Sequence, residues 1–149
     1  MGTRSKIAIR KKDNTIESIY CHWDGYPSFN GKILKEYYKT AERVQELINL
    51  GSISSLGKFI KPNPEMEHTF DNRQDDVTVA YIRDRGENED HNKKEIFDYE
   101  AKFLRECLTS DCEYYYLFDE ESNEWSYSEI PYIYDILEPK PLTDDVIND

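Results

Sequence analysis

The sequence predicts an α+β domain in which two hairpins and a central strand build an antiparallel sheet, with helices packed on one face. Two stretches of period-two alternation lie near the two ends of the chain, and a β-branched run lies between them. The remaining apolar residues recur at helical spacing. The resulting order ββ, αα, β, α, ββ is that of a sheet with segregated helices. A length of 149 residues fits one domain, residues 1–149, around a single core.

The first hairpin is read from Lys6-Ile7-Ala8-Ile9-Arg10, turn chemistry at Lys12-Asp13-Asn14 and a β-rich run over residues 16–20. Trp23-Asp24-Gly25-Tyr26-Pro27 carries the Gly and Pro of a structured loop. Asn30 is a candidate N-cap for a helix bearing Ile33, Leu34, Tyr37 and Tyr38. Thr40 is placed to cap a second helix, with Val44, Leu47 and Ile48 on one face and Gly51 at its end. Residues 52–59 read as a short turn or single helical turn, and Lys61-Pro62-Asn63-Pro64 as a surface crossing.

The run Val77-Thr78-Val79-Ala80-Tyr81-Ile82 is the strongest strand signal and suits a central position. After a polar loop to Lys93, a helix is predicted over residues 94–108, with Phe97, Ala101, Leu104 and Leu108 facing the core. Residues 114–118 and 125–130 flank an acidic stretch, the pattern of a second hairpin with a charged tip. Residues 132–137 read as a helical turn or an edge strand, and 143–149 as a frayed tail.

Composition narrows the classes of function. Aromatic residues make up 13% of the chain and tyrosines number 12, too many for a disordered polar chain. No stretch approaches the about 18 apolar residues of a membrane span, and residues 1–10 lack the apolar run of a signal peptide, so a cytoplasmic location is expected. Cys21, Cys107 and Cys112 have no CxxC spacing and read as reduced thiols. His22, His68 and His91 are too scattered to propose a metal, and no cofactor fingerprint occurs.

Charge is uneven. Residues 1–83 carry 13 Lys/Arg against 11 Asp/Glu, a net of +2, whereas residues 84–149 carry 6 against 20, a net of −14, giving −12 in all. Such a surface repels nucleic acid and acidic membranes and attracts basic partners within about 8 Å at physiological salt.

Three groups of residues are candidate sites. The acidic, aromatic hairpin offers Glu113, Tyr114, Tyr116, Asp119, Glu120, Glu121, Glu124, Trp125, Tyr127 and Glu129, carboxylates beside flat rings, which suits an Arg- and Lys-rich partner; its bland counterpart is an edge hairpin whose charges block aggregation. Arg83 and Arg85, after the predicted central strand, can hold a phosphate or carboxylate, or can pair with local acids. His22 and Asp24 can form an acid/base pair, or Asp24 can cap the turn while Trp23 and Tyr26 plug the loop.

Four segments carry a resemblance: Gly2-Thr3-Arg4-Ser5-Lys6-Ile7-Ala8-Ile9, Tyr20-Cys21-His22-Trp23-Asp24-Gly25-Tyr26-Pro27, Leu50-Gly51-Ser52-Ile53-Ser54-Ser55-Leu56 and Val79-Ala80-Tyr81-Ile82-Arg83-Asp84-Arg85-Gly86-Glu87. They resemble a group of small bacteriophage and prophage proteins over roughly the first 90 residues. The resemblance brings no catalytic residues; it implies a genomic context. Small, very acidic phage proteins resemble inhibitors of host defence, including anti-CRISPR proteins and DNA mimics that occupy basic nucleic-acid-binding clefts. The expected partner is therefore a basic nucleic-acid-binding host protein, such as a CRISPR effector or a defence nuclease, bound stoichiometrically and without catalysis. The alternative is a nucleotide-binding or hydrolytic protein using the His22/Asp24 and Arg83/Arg85 loops.

Overall fold

A computed structural model describes residues 2–131 and 137–148. The alternating first hairpin forms from β1 (Ser5–Arg10) and β2 (Ile16–Cys21), antiparallel with Ile7 opposite Ile19. Asp13 accepts hydrogen bonds from the Thr15 amide and hydroxyl while Asn14 takes the left-handed conformation, which closes the turn.

Helical backbone begins earlier than an Asn30 cap would place it, because Pro27 has its φ preset for a first helical turn. A π-helical turn, Pro27–Gly31, runs straight into α1 (Lys32–Tyr37). Asn30 is fully buried within that turn, and its side-chain amide donates to the Trp23 carbonyl at 3.1 Å and to Cys21 Sγ at 3.3 Å. Thr40 does cap α2 (Ala41–Ile48), its hydroxyl accepting from the Arg43 amide at 3.2 Å. Gly51, at φ 80°, follows the helix end.

Several further segments differ from the sequence expectation. The segment expected to be a turn after Gly51 contains β3 (Ile53–Ser55), which continues the sheet beyond β2 in parallel: the His22 and Trp23 amides donate to the Ile53 and Ser54 carbonyls. The run 77–82, expected as the central strand, is extended as strand only in β4 (Val79–Ala80), which lies at the sheet edge beyond β3, and turns into α3 (Tyr81–Arg85). Asp84 reaches back to the Ala80 amide at 2.7 Å and Gly86 closes the helix at φ 67°, so local capping outweighs β propensity. After α4 (Glu89–Asn92), residues expected to start a long helix form β5 (Glu95–Phe97), which pairs with residues 16–18 of β2. The helix itself is α5 (Glu100–Thr109), and it buries Phe103 and Cys107 while Ala101 stays exposed.

The second hairpin forms from β6 (Tyr114–Asp119) and β7 (Glu124–Glu129), followed by β8 (Lys140–Pro141) and α6 (Asp144–Ile147). The C-terminal stretch expected to fray instead contains α6, with Ile147 buried in the core. The element expected at 132–137 falls on residues 132–136, outside the described residues.

The sheet runs β4-β3-β2-β1-β6-β7-β8, with β5 beside β2. It is mixed, not antiparallel: β1 is antiparallel to β2 but parallel to β6, because the long connection between the hairpins delivers β6 in the same direction as β1. Helices cover both faces, not one. On one face Ile7, Ile9, Ile19, Tyr116 and Phe118 pack under α1, α2 and α6; on the other, Ala8, Ile16, Tyr115 and Leu117 pack under Phe103 and Cys107 of α5. The central strands β1 and β6 are accordingly buried on both sides, as a continuous apolar run requires. Among the described residues no helix is long and apolar enough to cross a membrane.

Candidate binding groove

Strand alternation splits the acidic, aromatic hairpin. Residues directly opposite share a face, so Tyr114/Glu129, Tyr116/Tyr127 and Phe118/Trp125 point to one side and Tyr115/Ser128, Leu117/Ser126 and Asp119/Glu124 to the other. Tyr116 and Trp125, expected on a partner-binding face, belong to the core: Tyr116 is 0% exposed with its hydroxyl donating to the Gly25 carbonyl, and Trp125 is 8% exposed with its indole N–H donating to the Tyr38 carbonyl. Rings of this size gain more by burial than by waiting at the surface.

The carboxylates separate as well. Asp119, Glu120, Glu121 and Glu124 cluster at the hairpin tip, where, among the described residues, only Asp119 makes an ion pair. Asp119 pairs with Arg10, Glu120 accepts from the Lys12 amide at 3.1 Å, and Glu124 lines a cleft of about 390 Å³ together with Lys35 and Lys39. Burial acts to raise the Asp119 carboxyl, but hydrogen bonds from the Glu121 amide and Arg10 outweigh it and hold it below the ordinary aspartate range. Glu113, Tyr114, Tyr127 and Glu129 lie at the other end of the strands, about 17 Å away at ~3.3 Å per residue.

At that end a groove of about 960 Å³ opens between the hairpin and the π-helical turn. Tyr114, Tyr127 and Glu129 form one wall; Tyr26, Pro27 and Ser28 form another; Glu138 and Lys140 contribute from the chain entering β8. Tyr127 stacks on buried Tyr116, with ring centroids 6.4 Å apart and planes 23° apart. Burial, then the carboxylates of Glu129 and Glu113, raise the Tyr114 hydroxyl above the ordinary tyrosine range. Among the described residues Glu113, Glu129 and Glu138 make no ion pair, as Glu120, Glu121 and Glu124 at the tip make none; what sets this end apart is that its carboxylates Glu129 and Glu138 line a groove with tyrosine rings.

The loop over the groove is rigidly built. The Gly25 amide donates to the Thr3 carbonyl at 2.8 Å, and a Cβ on Gly25 would sit 2.8 Å from both that oxygen and Ser5 Cβ. Asp24 takes φ 58°, and its carbonyl accepts from the Asn30 amide. This is the turn-forming role for Asp24, and Trp23 and Tyr26 are partly open to solvent beside it.

His22 does not face Asp24 as an acid/base pair. Its Nδ1 is 2.7 Å from the Tyr20 hydroxyl, and its ring meets Trp23 edge-on. Burial and then the nearby positive charges of Arg4 and Arg85 lower its proton affinity. Cys21 is fully buried and its thiol is pushed up to about 12 by that burial, the reverse of an activated nucleophile.

Arg83 and Arg85 sit on α3, not on a loop, and diverge. Arg83 donates to Asp84, to the Ile60 carbonyl at 2.7 Å and to the Thr78 carbonyl at 2.8 Å, so its guanidinium is spent internally. Arg85 lies over the rings of Phe70 and Tyr81, 4.2 and 4.8 Å from their centroids. These placements leave no paired guanidinium fork for a nucleotide phosphate. Among the described residues no group of three or more His, Cys, Asp or Glu side chains is arranged to hold a metal ion.

Sequence reasoning missed Tyr26, Pro27, Ser28, Glu138 and Lys140 as neighbours of the hairpin. The pairing of Lys140 with Tyr127 across β7 and β8 has no local signal beyond the prolines around it. No protein-family model matches the chain, and neither the search of curated proteins nor that of solved structures found a match.

Proposed function

We propose that the protein is a non-catalytic interaction protein of phage or prophage origin that binds stoichiometrically to a basic, nucleic-acid-binding surface of a host defence protein in the cytoplasm, such as a CRISPR effector or a defence nuclease. The carrying observation is the groove end of the hairpin, where, among the described residues, Glu129 and Glu138 line the groove without an ion pair beside the rings of Tyr26, Tyr114 and Tyr127, and Glu113, also without one, precedes Tyr114. Carboxylates steer a basic partner into contact, and tyrosine rings supply area and cation–π attraction once it arrives. The net of −14 over residues 84–149 adds long-range attraction and disfavours nucleic acid itself as the ligand. The resemblance of the four segments supports the phage context, and the small size and acidity of the chain support the anti-defence role by class.

The test is affinity capture from bacterial lysate at low and high salt, with bound proteins identified by mass spectrometry. A basic nucleic-acid-binding protein retained at low salt and released by excess nucleic acid is the expected result. Capture that neither salt nor nucleic acid disturbs overturns the proposal.

A further inference from the structure

The groove's own chemistry distinguishes the two basic side chains, and the inference drawn from it rests on the reading above that a basic partner docks here. Lysine carries a compact, strongly hydrated ammonium. Arginine carries a planar, weakly hydrated guanidinium that stacks on a ring while its edge engages a carboxylate. The groove supplies both surfaces: the rings of Tyr26, Tyr114 and Tyr127, and the carboxylates of Glu129 and Glu138. Glu129 stands directly opposite Tyr114 across the strand pair, so a carboxylate and a ring share one face.

These rings are held before any partner arrives. Tyr127 is backed by Tyr116, whose hydroxyl is bonded to the Gly25 carbonyl at 2.7 Å. Tyr26 meets Phe29 edge-on, with centroids 6.1 Å apart, on a loop fixed through Gly25 and Asn30. Preorganised rings lose little conformational entropy on binding, so the stacking energy reaches the affinity nearly undiminished.

One cation already lines the site. Lys140 pairs with Tyr127 in the β7–β8 register, which places both on the same face, and it lines the groove with Glu129 and Glu138. Its ammonium is a resident competitor for the charge that an incoming side chain would use.

We propose that the groove is an arginine-selective docking site, taking an arginine-bearing segment of the basic partner between Tyr26 and Tyr127 with its guanidinium on Glu129 and Glu138, and that Lys140 restrains this binding. Charge complementarity selects the basic segment, and the rings select arginine within it.

The test titrates the whole protein with short synthetic peptides that are identical except for Arg, Lys or citrulline at the basic positions, followed by calorimetry. The Arg peptide is expected to bind about three- to fivefold more tightly than the Lys peptide, the size of an exposed cation–π preference, and citrulline to bind least. Tyr26→Leu should erase the Arg-over-Lys margin, Glu129→Gln with Glu138→Gln should weaken both basic peptides, and Lys140→Gln should tighten both. Circular dichroism of each variant reports that the fold is kept. Equal binding of Arg and Lys peptides, both lost in the Glu variants, overturns arginine selectivity while leaving the acidic docking reading intact. Binding of either peptide that the Glu variants do not alter, or no binding at all, overturns both.

Discussion

Arg83 and Asp84, adjacent in sequence, form a two-pronged ion pair: Arg83 Nε donates to Asp84 Oδ1 at 2.9 Å and Nη2 donates to Oδ2 at 2.9 Å. The same carboxylate accepts from the Ala80 amide and lies 3.4 Å from Nε2 of His68, whose side chain is 2% exposed. His68 Nδ1 in turn accepts from the Gln74 amide at 3.0 Å, and Gln74 holds Asn63 and Met66 through its side chain. One buried carboxylate therefore pins α3, the end of β4 and the long segment over residues 61–76 together.

Asp84→Asn leaves Arg83 and His68 without their shared anion, and removing one partner of a buried pair costs about 3 kcal/mol. Urea unfolding should show that loss, while capture of the basic partner by the folded protein is unchanged. An unaltered unfolding midpoint would mean the network contributes nothing.

Trp125 and Tyr116 separate folding from binding. Trp125→Ala is expected to cost about 3–5 kcal/mol through the cavity it leaves. Tyr116→Phe removes only the hydroxyl bonded to Gly25 and should cost about 1 kcal/mol. Tyr114→Ala, on a partly exposed wall of the groove, should change stability little and partner binding more. A Trp125→Ala protein as stable as the wild type would place that ring outside the core.

Both hairpins, the Thr40 cap and the Gly51 stop were legible because each rests on nearest-neighbour chemistry: alternation, a turn residue at positive φ, a hydroxyl facing an amide. What escaped was decided at long range. Residues 95–97 are a strand because β2 has an edge to fill there, and nothing in Glu95-Ile96-Phe97 announces it. The strand signal at 77–82 was real but stopped at Tyr81, where Asp84 offers the Ala80 amide a closer partner. At the candidate site, the charge imbalance pointed to the acidic hairpin, while the sum of charges concealed that Asp119 pairs with Arg10 and that Glu124 lies near Lys35 and Lys39.

The three thiols should be inert in the native state. Cys21, Cys107 and Cys112 are buried, and burial is the main cause that raises each thiol above its ordinary range, Cys21 to about 12. Ellman's reagent at mildly alkaline pH should find none of them before denaturant is added and all of them afterwards. Rapid native-state reaction at Cys21 would point to an open, activated thiol.

Glu17 gives the acid side of stability a specific source. Its carboxylate accepts from Lys94 at 2.6 Å and Gln45 at 2.8 Å; burial acts to raise its proton affinity, and these bonds outweigh burial and hold it below the ordinary value of 4.5. A carboxyl lowered in the folded state contributes stability fully above pH 4.5, and loses it as pH falls through the folded value. Denaturation across a pH series should therefore show a shallower acid decline for Glu17→Gln than for the wild type. Superimposable declines would remove Glu17 from the acid sensitivity.

The most direct test of the central claim is a side-by-side capture from lysate with the wild type and the triple variant Glu113→Gln, Glu129→Gln, Glu138→Gln, both checked for identical unfolding midpoints. The wild type is predicted to retain a basic nucleic-acid-binding protein that excess nucleic acid displaces, and the variant to lose it; equal retention by both would contradict the claim that this end of the hairpin is the binding surface.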